Sequence, residues 1–307
     1  FYVLGPFLSR FNYAEVSLPG GCAWGPRPVN YHLQAIEALG AEVDLSDGMI
    51  IAKGELKGGL INFQQSSVGA TGNALMAAVN ANGTTTIKNA AKEPEIEALC
   101  HFLLKMGADI KGIGTDEIII VGQKTLNADI EYSVIPDRIE AGTFLIAGAC
   151  TYGDISVTNV NPNHLDIVLN YLAEAGFNLD VQNDSIRIYP SQNYINPVDM
   201  ITGIYPGFPT DLQAQWMALM TLANGNSKIT EEIYTDRFTH IAELTRFGAQ
   251  VTLSGNIAKI LGTNKLTGAP VMSTDIRASA SLIIAALSAE GKSSISRIYH
   301  IDRGYEK

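Results

Sequence analysis

The sequence predicts an α/β repeat protein folded as two domains, on three observations. Its 307 residues exceed what one compact core takes, and a 46% apolar content is enough to fill two. A pattern of helix end, glycine, small residue and β-branched strand recurs as Leu39-Gly40-Ala41-Glu42-Val43, Met106-Gly107-Ala108-Asp109-Ile110, Ala175-Gly176-Phe177-Asn178-Leu179 and Phe247-Gly248-Ala249-Gln250-Val251, its glycines 67, 69 and 72 residues apart. In phase with it, a small-residue helix runs into a turn glycine and a strand at Gly83, Gly153, Gly225 and Gly291, spaced 70, 72 and 66 residues.

Each element has a local reason. In Ser17-Leu18-Pro19-Gly20-Gly21-Cys22-Ala23-Trp24-Gly25-Pro26-Arg27-Pro28, three glycines and three prolines stop any helix or central strand, so this segment is a loop. Helical periodicity over residues 95–106 ends at Gly107, and strand signals follow over 108–111 and 117–121. An apolar helix holds Phe144 to Cys150, another runs over 164–175 to Gly176, and a third runs over 212–222 after Phe208-Pro209-Thr210-Asp211. Glycine suits the helix ends because a left-handed residue there lets the chain turn directly into a strand. The unit is therefore strand, helix, strand, strand and a second helix, and it must pack with sister units to cover both of its faces. At this period the chain holds about 4.4 units, so both ends fall inside a repeat and the chain is expected to be incomplete.

Composition narrows the function. A net charge of −10 argues against general attraction to nucleic acid or an anionic membrane, while leaving room for a local basic site for a small anion. Three cysteines in unlike contexts argue against a disulfide framework and for a reducing compartment. The five histidines, His32, His101, His164, His240 and His300, share no metal-ligand spacing with cysteines or carboxylates. No apolar run approaches the roughly 18 residues that span a bilayer. Because the chain begins at Phe1 and not at methionine, a removed signal peptide and a truncation both stay open.

The reactive candidate is Cys22. A thiol in a glycine- and proline-rich loop is a poor core residue, and Arg27 five positions on favours its thiolate. Cys100 and Cys150 lie in apolar helical stretches and read as core. Thr210 and Asp211 enter a helix, where either is equally an N-cap or a functional group. The spacing of Asp275 and Arg277, echoed by Asp302 and Arg303, suggests carboxylates that hold guanidinium groups in place for an anion.

These residues sit in longer strings: Leu18-Pro19-Gly20-Gly21-Cys22, Arg27-Pro28-Val29, Ser67-Val68-Gly69-Ala70-Thr71, Ala91-Lys92-Glu93-Pro94-Glu95, Pro136-Asp137-Arg138-Ile139-Glu140, Phe208-Pro209-Thr210-Asp211, Thr274-Asp275-Ile276-Arg277-Ala278-Ser279 and His300-Ile301-Asp302-Arg303-Gly304-Tyr305. On these strings, which cover essentially its whole length, the chain resembles the enolpyruvyl transferases, and most closely the branch acting on UDP-N-acetylglucosamine. The resemblance implies an inside-out α/β barrel fold of six units, three to each of two domains, incomplete here. It implies a cysteine-loop domain over 1–136, a second domain over 137–307, and an active site in the cleft between them.

The implied reaction moves the enolpyruvyl group of phosphoenolpyruvate to the 3-hydroxyl of UDP-N-acetylglucosamine and releases phosphate, the first committed step of peptidoglycan synthesis. By the same resemblance it takes place in the cytoplasm, needs no metal or redox cofactor, and has these two small molecules as its partners. Cys22 is then the acid and covalent nucleophile, Asp211 the base, and Arg27, Arg277 and Arg303 the cations for phosphate and carboxylate. The nucleotide end falls to Arg27, Pro28, Asn30, Tyr31 and His32, with the backbone of Ser67, Val68 and Gly69 for the diphosphate. Glu93, Thr210, Ile233, Arg237, Asp275 and His300 complete the substrate-binding set. Because Cys22 stands where some relatives carry aspartate, alkylation by the epoxide fosfomycin is expected.

Two departures from the family pattern touch the nucleotide end. Asn30-Tyr31 stands where many relatives read Asp-Leu, and Gln65 or Ser66 stands where a basic residue often precedes Ser-Val-Gly. The family's Lys-Asn pair and a further arginine lie upstream of the segment that begins at Phe1, so this chain is expected to bind weakly and to fail in turnover. Two rivals remain open at this point: the sister enzyme acting on shikimate 3-phosphate, which lacks the Pro-Gly-Gly-Cys loop, and a catalytically silent nucleotide-sugar binding protein.

Overall fold

The computed structural model describes residues 1–20 and 29–305. The chain divides into two compact units, Phe1–Ile135 and Pro136–Lys307, each with its own apolar core.

The first unit opens with α1 (Leu4–Phe11), β1 (Tyr13–Ser17), α2 (Asn30–Ala38), β2 (Glu42–Ser46) and β3 (Met49–Lys53). These strands form an antiparallel sheet in the order β1-β3-β2. Then follow β4 (Leu60–Asn62), α3 (Val68–Ala78), β5 (Thr84–Lys88), α4 (Pro94–Lys105), β6 (Asp109–Lys111) and β7 (Glu117–Val121), in a sheet of order β4-β5-β7-β6. Helix α3 is the crossover between the parallel strands β4 and β5, and β7 runs antiparallel to both β5 and β6. Strand alternation is plain at β5 and β7, where Thr85, Ile87, Ile118 and Ile120 point inward.

The second unit repeats the plan. Helix α5 (Arg138–Cys150), β8 (Ile155–Thr158), α6 (Asp166–Glu174), β9 (Phe177–Val181) and β10 (Ser185–Pro190) give a sheet of order β8-β10-β9. Next come β11 (Met200–Ile201), α7 (Gln213–Met220), β12 (Asn226–Thr230), α8 (His240–Arg246), β13 (Gln250–Ser254) and β14 (Ile257–Leu261). Their order, β11-β12-β14-β13, matches that of the four-stranded sheet of the first unit. Strands β15 (Leu266–Thr267) and β16 (Pro270–Met272) lead into α9 (Ile276–Ser288) and pair in parallel with β17 (Ala289–Glu290) and β18 (Ser294–Ser296).

The repeat glycines behave as the sequence requires. Gly40, Gly107, Gly176 and Gly248 have φ of 91°, 97°, 98° and 93°. In the second set Gly83, Gly225 and Gly291 are also left-handed, but at Gly153 the positive φ moves back one position to Tyr152, at 51°. The expected unit also lacks one element. The four-stranded copies carry a short strand, β4 or β11, before the second helix, and two or three residues are too few to show a period of two.

The helices divide by burial. In α7 every residue from Gln213 to Met220 is buried, and in α3 burial takes in Ala70, Ala74, Leu75, Ala77 and Ala78 along most of its length, so neither shows a one-sided apolar stripe. Trp216 of α7 packs edge-on against Tyr171 and Phe208, both with ring centroids 5.6 Å away. Cys100 and Cys150 are core residues: burial pushes the Cys100 thiol up to about 12 and that of Cys150 higher still. Among the described residues, no helix is long and apolar enough to cross a membrane.

Candidate active site

Two helix starts in the second unit build the main polar cluster. Pro209 leads into a single 3₁₀ turn, Thr210–Leu212, that runs straight into α7. Asp275 caps α9, its Oδ1 accepting from the amides of Arg277 at 2.9 Å and Ala278 at 3.0 Å. Helices α7 and α9 pack together, so the 3₁₀ turn ahead of α7 meets the first turn of α9 and Arg277 Nε lies 3.3 Å from Asp211 Oδ1. Arg237, from the segment between β12 and α8, donates to the same oxygen at 2.7 Å and to Thr210 Oγ1 at 3.0 Å.

Asp211 thus receives two guanidinium groups on one oxygen, while its side chain stays 41% exposed. Its Oδ2 meets no donor among the described residues. Burial alone would raise this carboxyl, but the charges and hydrogen bonds of Arg237 and Arg277 outweigh burial and hold it below the ordinary carboxylate range. For Arg277, burial works against the charge, and Asp211 together with the Tyr305 hydroxyl overcomes it.

Two sets of contacts support the cluster. The carboxylate of Glu231, fully buried, accepts from Thr202 Oγ1 at 2.8 Å and Thr210 Oγ1 at 2.9 Å, and from the amides of Ile233 and Tyr234, both at 2.9 Å. That fixes the hydroxyl that Arg237 uses and the segment that carries Ile233 and Arg237. On the other side, Thr143 Oγ1 lies 3.0 Å from Tyr305 Oη, which accepts from Arg277 at 3.4 Å, and Gln215 donates to both Thr143 Oγ1 and the Asp211 carbonyl. Sequence reasoning missed Glu231, whose hydroxyl partners are 29 and 21 residues away in the chain.

The first unit assembles the other half of the candidate set. Ser67 caps α3, its Oγ accepting from Ala70 N at 3.3 Å, which leaves the amides of the first turn at Val68 and Gly69. Helix α2 begins at exposed Asn30. Half-buried Tyr31 meets the Phe63 ring at 5.9 Å, and His32, only 9% exposed, lies against Gly69. The structure therefore packs α2 against α3 and brings His32 beside Gly69 in the first turn of α3.

Several expectations change. Asp211 and Thr210 cap no helix, since both side chains are engaged with Arg237, and α7 starts at Gln213. Asp275 does not hold Arg277; it satisfies the first amides of α9, and an aspartate two residues before an arginine suits a cap as well as an ion pair. Nor does Asp302 hold Arg303, which is exposed and forms no ion pair among the described residues. His300 is half-buried in the turn Ile298–His300, its ring 4.3 Å from that of Tyr299, and Glu93 is buried ahead of α4 without a side-chain cap bond. Cys22, Arg27 and Pro28 lie outside the described residues.

The whole chain is similar to known proteins of one family. The family model described as EPSP synthase (3-phosphoshikimate 1-carboxyvinyltransferase) matches residues 1–307. The chain is 54% identical to a UDP-N-acetylglucosamine 1-carboxyvinyltransferase of Chlorobium chlorochromatii over 99% of its own length and 72% of the relative's. It is 53% identical to one from Campylobacter hominis over the same two shares. Among solved structures it is similar to the enolpyruvyl transferase NikO from Streptomyces tendae, with a TM-score of 0.86 and 24% identity over 97% of this chain and 71% of that one. It is also similar to EPSP synthase from Acinetobacter baumannii, with a TM-score of 0.69 and 20% identity over 98% and 74%. With the family model matching from end to end, and relatives more than half identical along the whole chain, this chain belongs to the enolpyruvyl transferases of the EPSP synthase family.

Proposed function

We infer that this chain transfers the enolpyruvyl group of phosphoenolpyruvate to the 3-hydroxyl of UDP-N-acetylglucosamine with release of phosphate, the committing step of peptidoglycan synthesis. The observation that carries the choice of substrate is identity above 50% along the whole chain to relatives named for that reaction, against 20% to the EPSP synthase structure.

In the addition step, the sugar hydroxyl bonds to C2 of phosphoenolpyruvate while its proton leaves and C3 gains one. In the elimination step, the C2–O bond to phosphate breaks as C3 returns a proton, so the double bond is restored on the transferred group. Asp211 takes the hydroxyl proton through Oδ2, the oxygen left outside its arginine bonds. At rest the two guanidinium charges make it a weak base. A substrate anion that shares Arg237 and Arg277 relieves that pairing and strengthens the base where it is needed. Arginine suits both anionic groups of phosphoenolpyruvate through its planar fork of donors. Cys22 supplies the proton to C3, and Arg27 and Arg303 complete the anion contacts. The backbone at Ser67–Gly69 takes the diphosphate at the start of α3.

Equilibrium binding separates the substrates. UDP-N-acetylglucosamine should bind with favourable heat in a calorimeter while shikimate 3-phosphate produces none. Binding of shikimate 3-phosphate alone would transfer the chain to the sister activity.

A further inference from the structure

The structure assigns Asn73 as a positioning residue that fixes His32 as a neutral imidazole with its proton on Nε2, aimed at the first turn of α3 to donate to a diphosphate oxygen. The diphosphate half of this inference rests on the function proposed above; the tautomer half does not.

The hydrogen bonds allow one polarity. The Gly5 amide can only donate, and it meets Asn73 Oδ1 at 2.8 Å, so this atom is the carboxamide oxygen. The carboxamide nitrogen then faces His32 Nδ1 at 3.0 Å and can only donate, which makes Nδ1 the acceptor and places the ring proton on Nε2. Asn73 is fully buried and the amide–carboxamide–imidazole chain runs through the contact of α1 with α3, so the carboxamide has no room to turn over. Gly5 makes this possible. A Cβ there would stand 2.5 Å from the Asn73 carbonyl oxygen and 2.7 Å from Oδ1.

The free edge of the ring points to a ligand. A Cβ built on Gly69 would lie 3.1 Å from both Cε1 and Nε2 of His32, so that edge borders the first turn of α3. His32 is more than nine-tenths buried, yet Nε2 meets no acceptor among the described residues. The N–H of a nearly buried ring, beside the uncapped amides of an eleven-residue helix, is a donor set for an anion. Burial holds the imidazole in its neutral form, down to about 4, so this donor keeps one protonation state through the physiological range.

The test is nitrogen NMR of histidine-labelled chain, assigned with His32→Gln. The expected spectrum between pH 6 and 8 shows His32 Nδ1 unprotonated and Nε2 protonated. A proton on Nδ1, or an even mixture of tautomers, overturns the assignment. Asn73→Asp replaces the donor with a second acceptor and should protonate Nδ1; if Nδ1 stays bare in a folded Asn73→Asp chain, Asn73 does not set the tautomer. Adding uridine 5′-diphosphate should shift the Nε2 resonance, and Asn73→Leu should weaken its binding about tenfold. With the tautomer confirmed, an Nε2 signal that ignores the nucleotide overturns the diphosphate role alone.

Discussion

Replacing Glu231 with alanine should cost the second unit more stability than its single side chain suggests. Glu231 is fully buried and its two oxygens accept from two hydroxyls and two backbone amides. The hydroxyls of Thr202 and Thr210 can rotate toward other acceptors. The amides of Ile233 and Tyr234 cannot. At about 1.5–3 kcal/mol for each hydrogen bond to a charged group, the two amide bonds set the loss at about 4 kcal/mol. That is a large share of the ~5–15 kcal/mol that holds a typical domain together. For a domain of this size it corresponds to a fall in Tm of roughly 8–16 °C. Glu231→Gln keeps one oxygen for both amides and exchanges the other for a donor beside the Thr210 hydroxyl, which can turn to accept it, so the loss should be about 1 kcal/mol. Urea unfolding read from buried Trp216, in a Trp24→Phe background, measures both variants. A loss under 1 kcal/mol for Glu231→Ala, or equal losses for the two, would refute the reasoning.

Other expected outcomes follow from the same geometry. Because Asp211 is held below the ordinary carboxylate value, the stability its pairing contributes is whole above about pH 4 and fades as pH falls through its lowered range. Acid titrations of wild type and Asp211→Asn should therefore diverge above that range and converge below it, and parallel curves would contradict the pairing. Gly248→Ala meets open space, so it should lose only the backbone cost of a left-handed alanine, about 1 kcal/mol by denaturant unfolding. Gly5→Ala collides with backbone and should lose distinctly more; equal losses would argue against the close approach of α1 to α3. Fosfomycin should add one adduct to the intact mass, absent in Cys22→Ala, since burial keeps Cys100 and Cys150 as unreactive thiols. An adduct that survives that substitution would place the reactive thiol elsewhere.

What could be read from the sequence follows from the range of each interaction. The repeat was legible because a helix end turning into a strand demands a left-handed residue, and glycine marks it in the first pattern at Gly40, Gly107, Gly176 and Gly248. The core cysteines were legible from their apolar neighbours. Asp211 was ambiguous alone, since a helix entrance suits both a cap and a base, and only its arginines 26 and 66 positions away decide between them. Asp275 misled for the same reason in reverse: its partners are the amides two and three residues on. Glu231 and Asn73 left no local sign, because each does its work across distant chain segments, Asn73 reaching back 41 residues to His32.

The most direct measurement of the central claim is phosphate release from phosphoenolpyruvate, supplied with UDP-N-acetylglucosamine or with shikimate 3-phosphate, in this chain extended to the full length of its relatives. The account predicts release with the nucleotide sugar alone, reduced at least a hundredfold by Asp211→Asn. Release with shikimate 3-phosphate, or release that Asp211→Asn leaves unchanged, would contradict it.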